Sequence, residues 1–353
     1  MSILVYGFKQ FIFGLRVFFN RLSFRSCLKI AKFLFKRYIL RKPIPFSVVF
    51  ALTYDCQCGC IHCSVGDYAR QKNDLSTEEV KSIIDFIDWW GPFKITFFGG
   101  EPSLRNDLIQ LVKYASLKGV RVSIDTNGIL LDEETIINLK DAGISNINIS
   151  VDSSNESTHD ALRKKQGCFQ SAIRALELCV KHSIPCLIST YASKRAIKDK
   201  DLEKIIKLAK EIGVNGVKIL FPILSGRWRE SKEENLNSIE KEYVMNILDP
   251  SYVYVEDALE MLKKRSQGCS AIERNLIYIS PYGDIQPCPA IPISFGNVRN
   301  ESMAGIIKSM DNFNFFKKYG SCNMCLMNEP NFRNTFFGKG KNNLPIDVKE
   351  FNL

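Results

Sequence analysis

No acidic side chain occurs before Asp55, although ten Lys and Arg residues precede it. Setting those ten apart from the 48 basic residues leaves 38 against 38 acidic ones, so the rest of the chain has no excess charge of either sign. Without a basic field the body is not a nucleic-acid binder. No uncharged run approaches the roughly 18–20 residues that cross a bilayer, which excludes an α-helical span. Apolar residues are not scarce: 45% of the 353 residues are hydrophobic and 24% are charged, which excludes disorder and fibrous architectures and leaves chain for two or three domains.

The positive excess sits in residues 1–45, where Arg21, Arg25, Lys29, Lys32 and Lys36 recur at helical spacing among Leu22, Phe24, Leu28, Ile30, Phe33, Leu34 and Tyr38. The spacing predicts a helix with a basic side beside a broad apolar side. Lying in the headgroup plane, it would combine apolar burial with attraction to anionic lipid. A helix packed on the protein's own surface and an Arg-rich targeting peptide are the competing readings. The expectation is a basic amphipathic arm over 1–45 that touches a membrane surface, on a cytoplasmic protein held peripherally at the inner face of the cytoplasmic membrane.

Twelve cysteines fall unevenly: four lie between Cys56 and Cys63, and four more are Cys269, Cys288, Cys322 and Cys325. Two dense groups point to metal in a reducing, cytosolic compartment rather than to a disulfide framework. Cys27, Cys168, Cys179 and Cys186 have no partner spacing and read as small buried or surface residues.

After Pro43 and Pro45 the chain repeats short apolar strand, turn and helix. Strands are predicted at 47–53, 94–98, 120–125, 145–151, 184–190 and 215–221, and helices at about 76–90, 105–118, 133–142, 168–182 and 199–212. Ser76 with Glu79 forms a capping box, and Gly119, Gly143 and Gly213 stand where left-handed C-caps are wanted. Six such units predict an α/β fold, a curved, partial (β/α)6 barrel, with functional groups at the C-terminal ends of its strands. The organisation read from this is a core over 46–228, a helical linker over 229–268 and a small C-terminal α+β domain over 269–353.

Directly after the first strand, Cys56, Cys60 and Cys63 form C-x3-C-x2-C. Three thiolates on a short loop can hold three corners of a [4Fe-4S] cluster and leave one iron open, whereas a zinc site would need Cys58 or His62 as a fourth ligand. The second strand runs into Gly99-Gly100-Glu101-Pro102. Together these motifs resemble the radical S-adenosylmethionine (SAM) superfamily over roughly residues 47–225. The resemblance implies that the Gly99–Pro102 turn meets the SAM ammonium. Thr126 and Asn127 match the family's "TNG" turn, and Ser150, Asp152 and Thr190 match positions near the methionine or ribose. Arg163 matches an arginine that pairs with the SAM carboxylate, and His62 a planar group beside adenine. It further implies that SAM, chelated at the open iron, is cleaved reductively to a 5′-deoxyadenosyl radical that abstracts hydrogen from a C–H bond. No residue is assigned as catalytic.

Cys269, Cys288, Cys322 and Cys325 resemble the start of a SPASM extension, but no cysteine follows Cys325. Four thiolates close one auxiliary [4Fe-4S] cluster, as in the shortened Twitch form, with zinc as the alternative. The expected activity is that of a radical SAM oxidoreductase or modifying enzyme that takes electrons from a donor such as flavodoxin or ferredoxin. The arm directs its substrate reading to a membrane-associated or hydrophobic small molecule or lipid. A peptide-modifying or tetrapyrrole-modifying enzyme is the alternative, and a non-catalytic iron–sulfur carrier or zinc scaffold the reading from another class. Arg227 and Arg229, flanking Trp228 beyond the sixth strand, read as a phosphate or carboxylate site or as an exposed loop.

Overall fold

A computed structural model describes residues 3–18, 22–255, 269–313, 325–337 and 344–351. Each predicted strand is present: β1 Ser47–Thr53, β2 Lys94–Gly99, β3 Arg121–Thr126, β4 Asn146–Ser150, β5 Cys186–Tyr191 and β6 Gly216–Leu220. They pair in parallel in chain order. The covering helices are α3 Thr77–Trp90, α4 Leu108–Leu117, α5 Glu133–Asp141, α6 Glu156–Arg163, α7 Cys168–Lys181, α8 Lys194–Lys198 and α9 Asp201–Ile212. The Ser76–Glu79 capping box opens α3.

Alternate strand residues sort by chemistry. One set, including Val48, Phe50, Ile95, Phe97, Val122, Ile147, Ile188 and Val217, packs beneath the helices. The opposite face, which lines the lumen, is largely polar: Thr96 bonds Ser123 at 3.0 Å, and Asn146, Asn148 and Asp125 form a hydrogen-bonded chain. Curvature is visible in the contacts. β1 and β5 are four places apart in the sheet, roughly 19 Å if it were flat, yet His62 in the loop after β1 lies 4.7 Å from Tyr191 at the end of β5, ring to ring.

Two features depart from the sequence reading, an added strand beyond β6 and the sheet that the second cysteine group joins. A further parallel strand, β7 Val253–Val255, extends the sheet beyond β6 from within the segment read as a helical linker, which also holds α10 Ser238–Asn246; residues 256–268 lie outside the described part. β8 Leu276–Ile279 joins the far edge beside β1, so the second cysteine group grows from the same sheet. β9 Ile285–Gln286 folds back on it antiparallel.

The arm forms α1 Ile3–Phe18 and α2 Phe24–Leu34 and lies across the N-terminal ends of the strands. Phe13 and Val17 bury against Leu187, while Gln10 donates to Pro250 O and Val253 O at 2.7 and 2.8 Å. The basic stripe of α2 has a task the spacing did not suggest. Arg25 donates to Leu117 O, Lys29 to Asp88 O and Lys36 to Trp90 O, capping the carbonyl ends of α4 and α3. Arg21 lies outside the described residues. Among the described residues no helix is long and apolar enough to cross a membrane.

Candidate active site at the C-terminal ends of the strands

The first cysteine loop is fixed largely through its backbone. Gly59 N donates to Arg163 O and Ile61 N to Leu162 O, at 2.9 and 3.0 Å, so the loop hangs from the free carbonyls at the end of α6. From the other side, Arg227 N donates to Cys63 O at 3.0 Å and Arg227 Nη1 to Cys60 O at 2.8 Å. Arg229 pairs with Asp67. Both arginines read above as a substrate phosphate or carboxylate site are therefore committed to holding this loop, and Trp228 is buried against His62. The clamp was legible as a cluster of residues but not as a task, because its partners, two carbonyls for Arg227 and the Asp67 carboxylate for Arg229, lie more than about 160 residues away along the chain.

Gly99 and Gly100 also act within the protein. A Cβ on Gly99 would stand 2.2 Å from Thr53 O, and one on Gly100 2.2 Å from Asp55 O. The side-chain-free turn thus lets the end of β2 close on the start of the cysteine loop, where Gly100 N donates to Thr53 O and Glu101 N to Asp55 O, both at 2.8 Å. Glu101 is fully buried and accepts from Ser103 N and Oγ, Thr126 Oγ1 and Asn127 N, so its oxygens tie the ends of β2 and β3. Burial pushes its carboxyl upward against those hydrogen bonds. Pro102 opens the short turn that follows.

Asn127 reaches the cysteine loop directly, with Nδ2 3.8 Å from Cys56 Sγ, 3.7 Å from Cys58 Sγ and 3.2 Å from Gln57 Oε1. Asp152, just past β4, takes Arg163 Nε at 2.6 Å and lies 3.3 Å from His62 Nε2. Burial would raise the Asp152 carboxyl, but the Arg163 charge and the neighbouring imidazoles bring it down to about 2. Burial holds His62 down to about 4, so the ring is neutral at pH 7, seated among Asp152, Tyr191 and Trp228. Ser150 faces the lumen beside Ser189. Thr190 is not brought to the group: by strand alternation it shares the face of Ile188, under the helices, and Tyr191 takes the lumen side.

The cysteines suit a cluster. The hydrogen bond from Cys58 lowers Cys56 and brings Cys60 down to about 7, toward the thiolate that binds metal, while burial raises Cys63. Cys56, Cys60 and Cys168 all come within hydrogen-bonding reach of Cys58, so the thiols gather at this loop, as a cluster held at several corners requires. Asp152 Oδ1 and Gln57 Nε2 are buried here without a hydrogen-bond partner among the described residues, and a bound ligand would satisfy them. Three cysteines set aside by spacing meet others in space: Cys168 Sγ is 3.9 Å from Cys58 Sγ, and the free thiols of Cys179 and Cys186 hydrogen-bond each other.

In the second group, the charges of Cys269 and Cys288 act on Cys325, whose thiol is raised chiefly by burial. Cys322 lies outside the described residues. The segment after Cys325 is tied to the exit of β6, because Asn328 accepts from Leu224 N at 2.8 Å and donates to Pro222 O at 3.0 Å. One stretch, 222–229, therefore touches both cysteine groups.

Comparison with known proteins agrees with this geometry. The family model described as the radical SAM superfamily matches residues 50–209, and the SPASM iron-sulfur cluster-binding domain matches 269–326. The chain is 27% identical to an AdoMet-dependent heme synthase of Methanosarcina barkeri, over 80% of this chain and 88% of that protein. It is 33% identical to an Fe-coproporphyrin III synthase of the same organism, over 59% of this chain and 51% of the relative. Among solved structures, Streptococcus suis SuiB bound to S-adenosylmethionine superposes with a TM-score of 0.62 at 15% identity, covering 79% of this chain and 69% of SuiB. anSMEcpe with bound AdoMet gives 0.58 at 18%, covering 78% and 79%. The cofactors are SAM, a SAM-binding [4Fe-4S] cluster and an auxiliary [4Fe-4S] cluster. The chain is an enzyme of the radical SAM superfamily and carries a C-terminal SPASM iron–sulfur domain.

Proposed function

We propose that this radical SAM enzyme acts on a tetrapyrrole. The observation that carries the reading is the match to an AdoMet-dependent heme synthase along 88% of that protein's length and 80% of this chain, more of the chain than the radical SAM match over residues 50–209 takes in alone. The lumen supports it. Thr96, Ser123, Asn146, Asn148 and Asp125 line the barrel with a polar, mutually hydrogen-bonded wall, which suits polar substituents on a ring better than a lipid acyl chain. The main expectation, a membrane-associated or hydrophobic small molecule or lipid, accordingly gives way to the tetrapyrrole alternative.

In this reading Cys56, Cys60 and Cys63 hold the SAM-binding cluster, and Cys269, Cys288, Cys322 and Cys325 the auxiliary one. When bound and reduced, the first supplies a 5′-deoxyadenosyl radical for hydrogen abstraction. The chain's own groups orient and seclude. Asn127 fixes one side of the cysteine loop and Arg227 the other. Arg163, charge-paired with Asp152, would pair with the SAM carboxylate, and neutral His62 would offer a ring face to the adenine. Electrons come from a soluble low-potential donor of the flavodoxin or ferredoxin type. The test is anaerobic incubation of the reconstituted enzyme with SAM, dithionite and iron-coproporphyrin III, following 5′-deoxyadenosine and the porphyrin together. Radical formation and porphyrin conversion that depend on each other support the proposal. Cleavage of SAM with every tetrapyrrole unchanged would remove the substrate class and leave the family intact.

A further inference from the structure

The inner side of the arm is fully used: Tyr6, Phe13, Val17 and Phe33 are buried. Its outer side is nevertheless as apolar as a core. Phe8 and Phe11 on α1 are 66% and 61% exposed, Phe24 at the start of α2 is 84% exposed, and Phe35, Tyr38 and Ile39 beyond its end are 54%, 65% and 69% exposed. So many large exposed apolar side chains in one segment are rare on a surface that meets only water. Around it stand Lys9, Lys32, Arg41 and Lys42, all exposed, in a segment with no carboxylate of its own. Between α2 and the ends of α3 and α4 a cavity of about 760 Å3 opens, walled by Leu28, Phe35, Trp89 and Leu117. Its charged lining is mostly basic: the one carboxylate, Asp88, is paired with Lys29 and Lys118 is paired with Asp85, while Lys32 has no carboxylate partner among the described residues.

We propose that the outer face of α1 and α2 docks this protein on an anionic phospholipid bilayer, with the cavity beside Lys32 receiving a headgroup phosphate. Charge decides the occupant. A second copy of the arm would set its cations against the first set, which repels, whereas an anionic leaflet answers both the aromatic side chains and the cations. Trp89, 70% exposed at the rim, is the side chain that favours a headgroup level.

The experiment uses the full-length, cluster-loaded chain and two kinds of vesicle, pure phosphatidylcholine and phosphatidylcholine mixed with phosphatidylglycerol, in a sedimentation assay at several salt concentrations. Binding to the phosphatidylglycerol vesicles that falls with salt, with little binding to pure phosphatidylcholine, is expected. Lys32→Gln should weaken it about fivefold. Phe8→Ser combined with Phe11→Ser should weaken it at least about tenfold. Both variants should retain the far-ultraviolet dichroism and SAM cleavage of the parent. Equal binding to both vesicle types, or no binding to either, overturns the proposal. So does sedimentation velocity that finds a dimer dissolved by the Phe8 and Phe11 substitutions without vesicle binding, since the face would then join two copies.

Discussion

Gly226 offers a sharp test of how the SAM-binding loop is held. Its φ is +55°, and a Cβ there would lie 2.1 Å from Cys63 O and 2.6 Å from Ser64 O. Ordinary carbon–oxygen contact begins above 3 Å, so Gly226→Ala requires the two backbones to part by about 1 Å. The left-handed backbone adds about 1–2 kcal/mol. That movement lengthens both bonds from Arg227 to Cys63 O and Cys60 O, each contributing about 1 kcal/mol. Because Cys325 and its neighbours attach through Pro222 and Leu224 upstream, the auxiliary cluster should survive. Anaerobically reconstituted Gly226→Ala should therefore carry about four iron atoms per chain in place of about eight. Its reduced electron paramagnetic resonance spectrum should no longer respond to SAM, and 5′-deoxyadenosine formation should vanish. Gly167→Ala is the control: its φ is +75°, but nothing lies within 4 Å of the added carbon, so it has the backbone cost without the collision. A Gly226→Ala enzyme with full iron and a SAM-responsive spectrum, or a Gly167→Ala enzyme equally depleted, would refute the clamp.

Asp152→Asn leaves Arg163 buried without its charge partner and should lower stability at pH 7 by about 3–5 kcal/mol, read by denaturant unfolding. Since the Asp152 carboxyl is depressed from 3.8 to about 2, the contribution of its ionised form is present above pH 4 and is lost as pH falls toward 2; the gap between parent and variant should narrow over that range. Phe13→Ala removes a ring that is 1% exposed from the seat of α1 and should cost about 3–5 kcal/mol, with protease cleavage within α1 appearing before global unfolding. Cys325→Ser should remove the auxiliary cluster while SAM still perturbs the spectrum of the remaining one; loss of both signals would contradict separate attachment.

Much of the barrel was legible because its strands and helices are long and strictly patterned: β1 to β6 fall within a residue or two of expectation. β7 was not, since three residues, Val253–Val255, give no period to read. The cysteine spacing located the site, yet the tasks of individual residues followed partners distant in sequence. Arg227 and Arg229 suggested an anion until their guanidinium groups were seen to serve the cysteine loop, and the stripe Arg25, Lys29 and Lys36 suggested lipid until the carbonyl ends of α3 and α4 competed for it. Thr190 shows the limit of matching by position, because one step along a strand reverses the side it faces.

The placement of the arm has a consequence for traffic. α1 seals the floor of the barrel while the cysteine loop opens at its roof, so the two lie at opposite poles of the sheet. A molecule resting on its floor turns its doorway toward the bulk aqueous phase. Docked in the proposed way, the enzyme would take both its substrate and its electrons from that side.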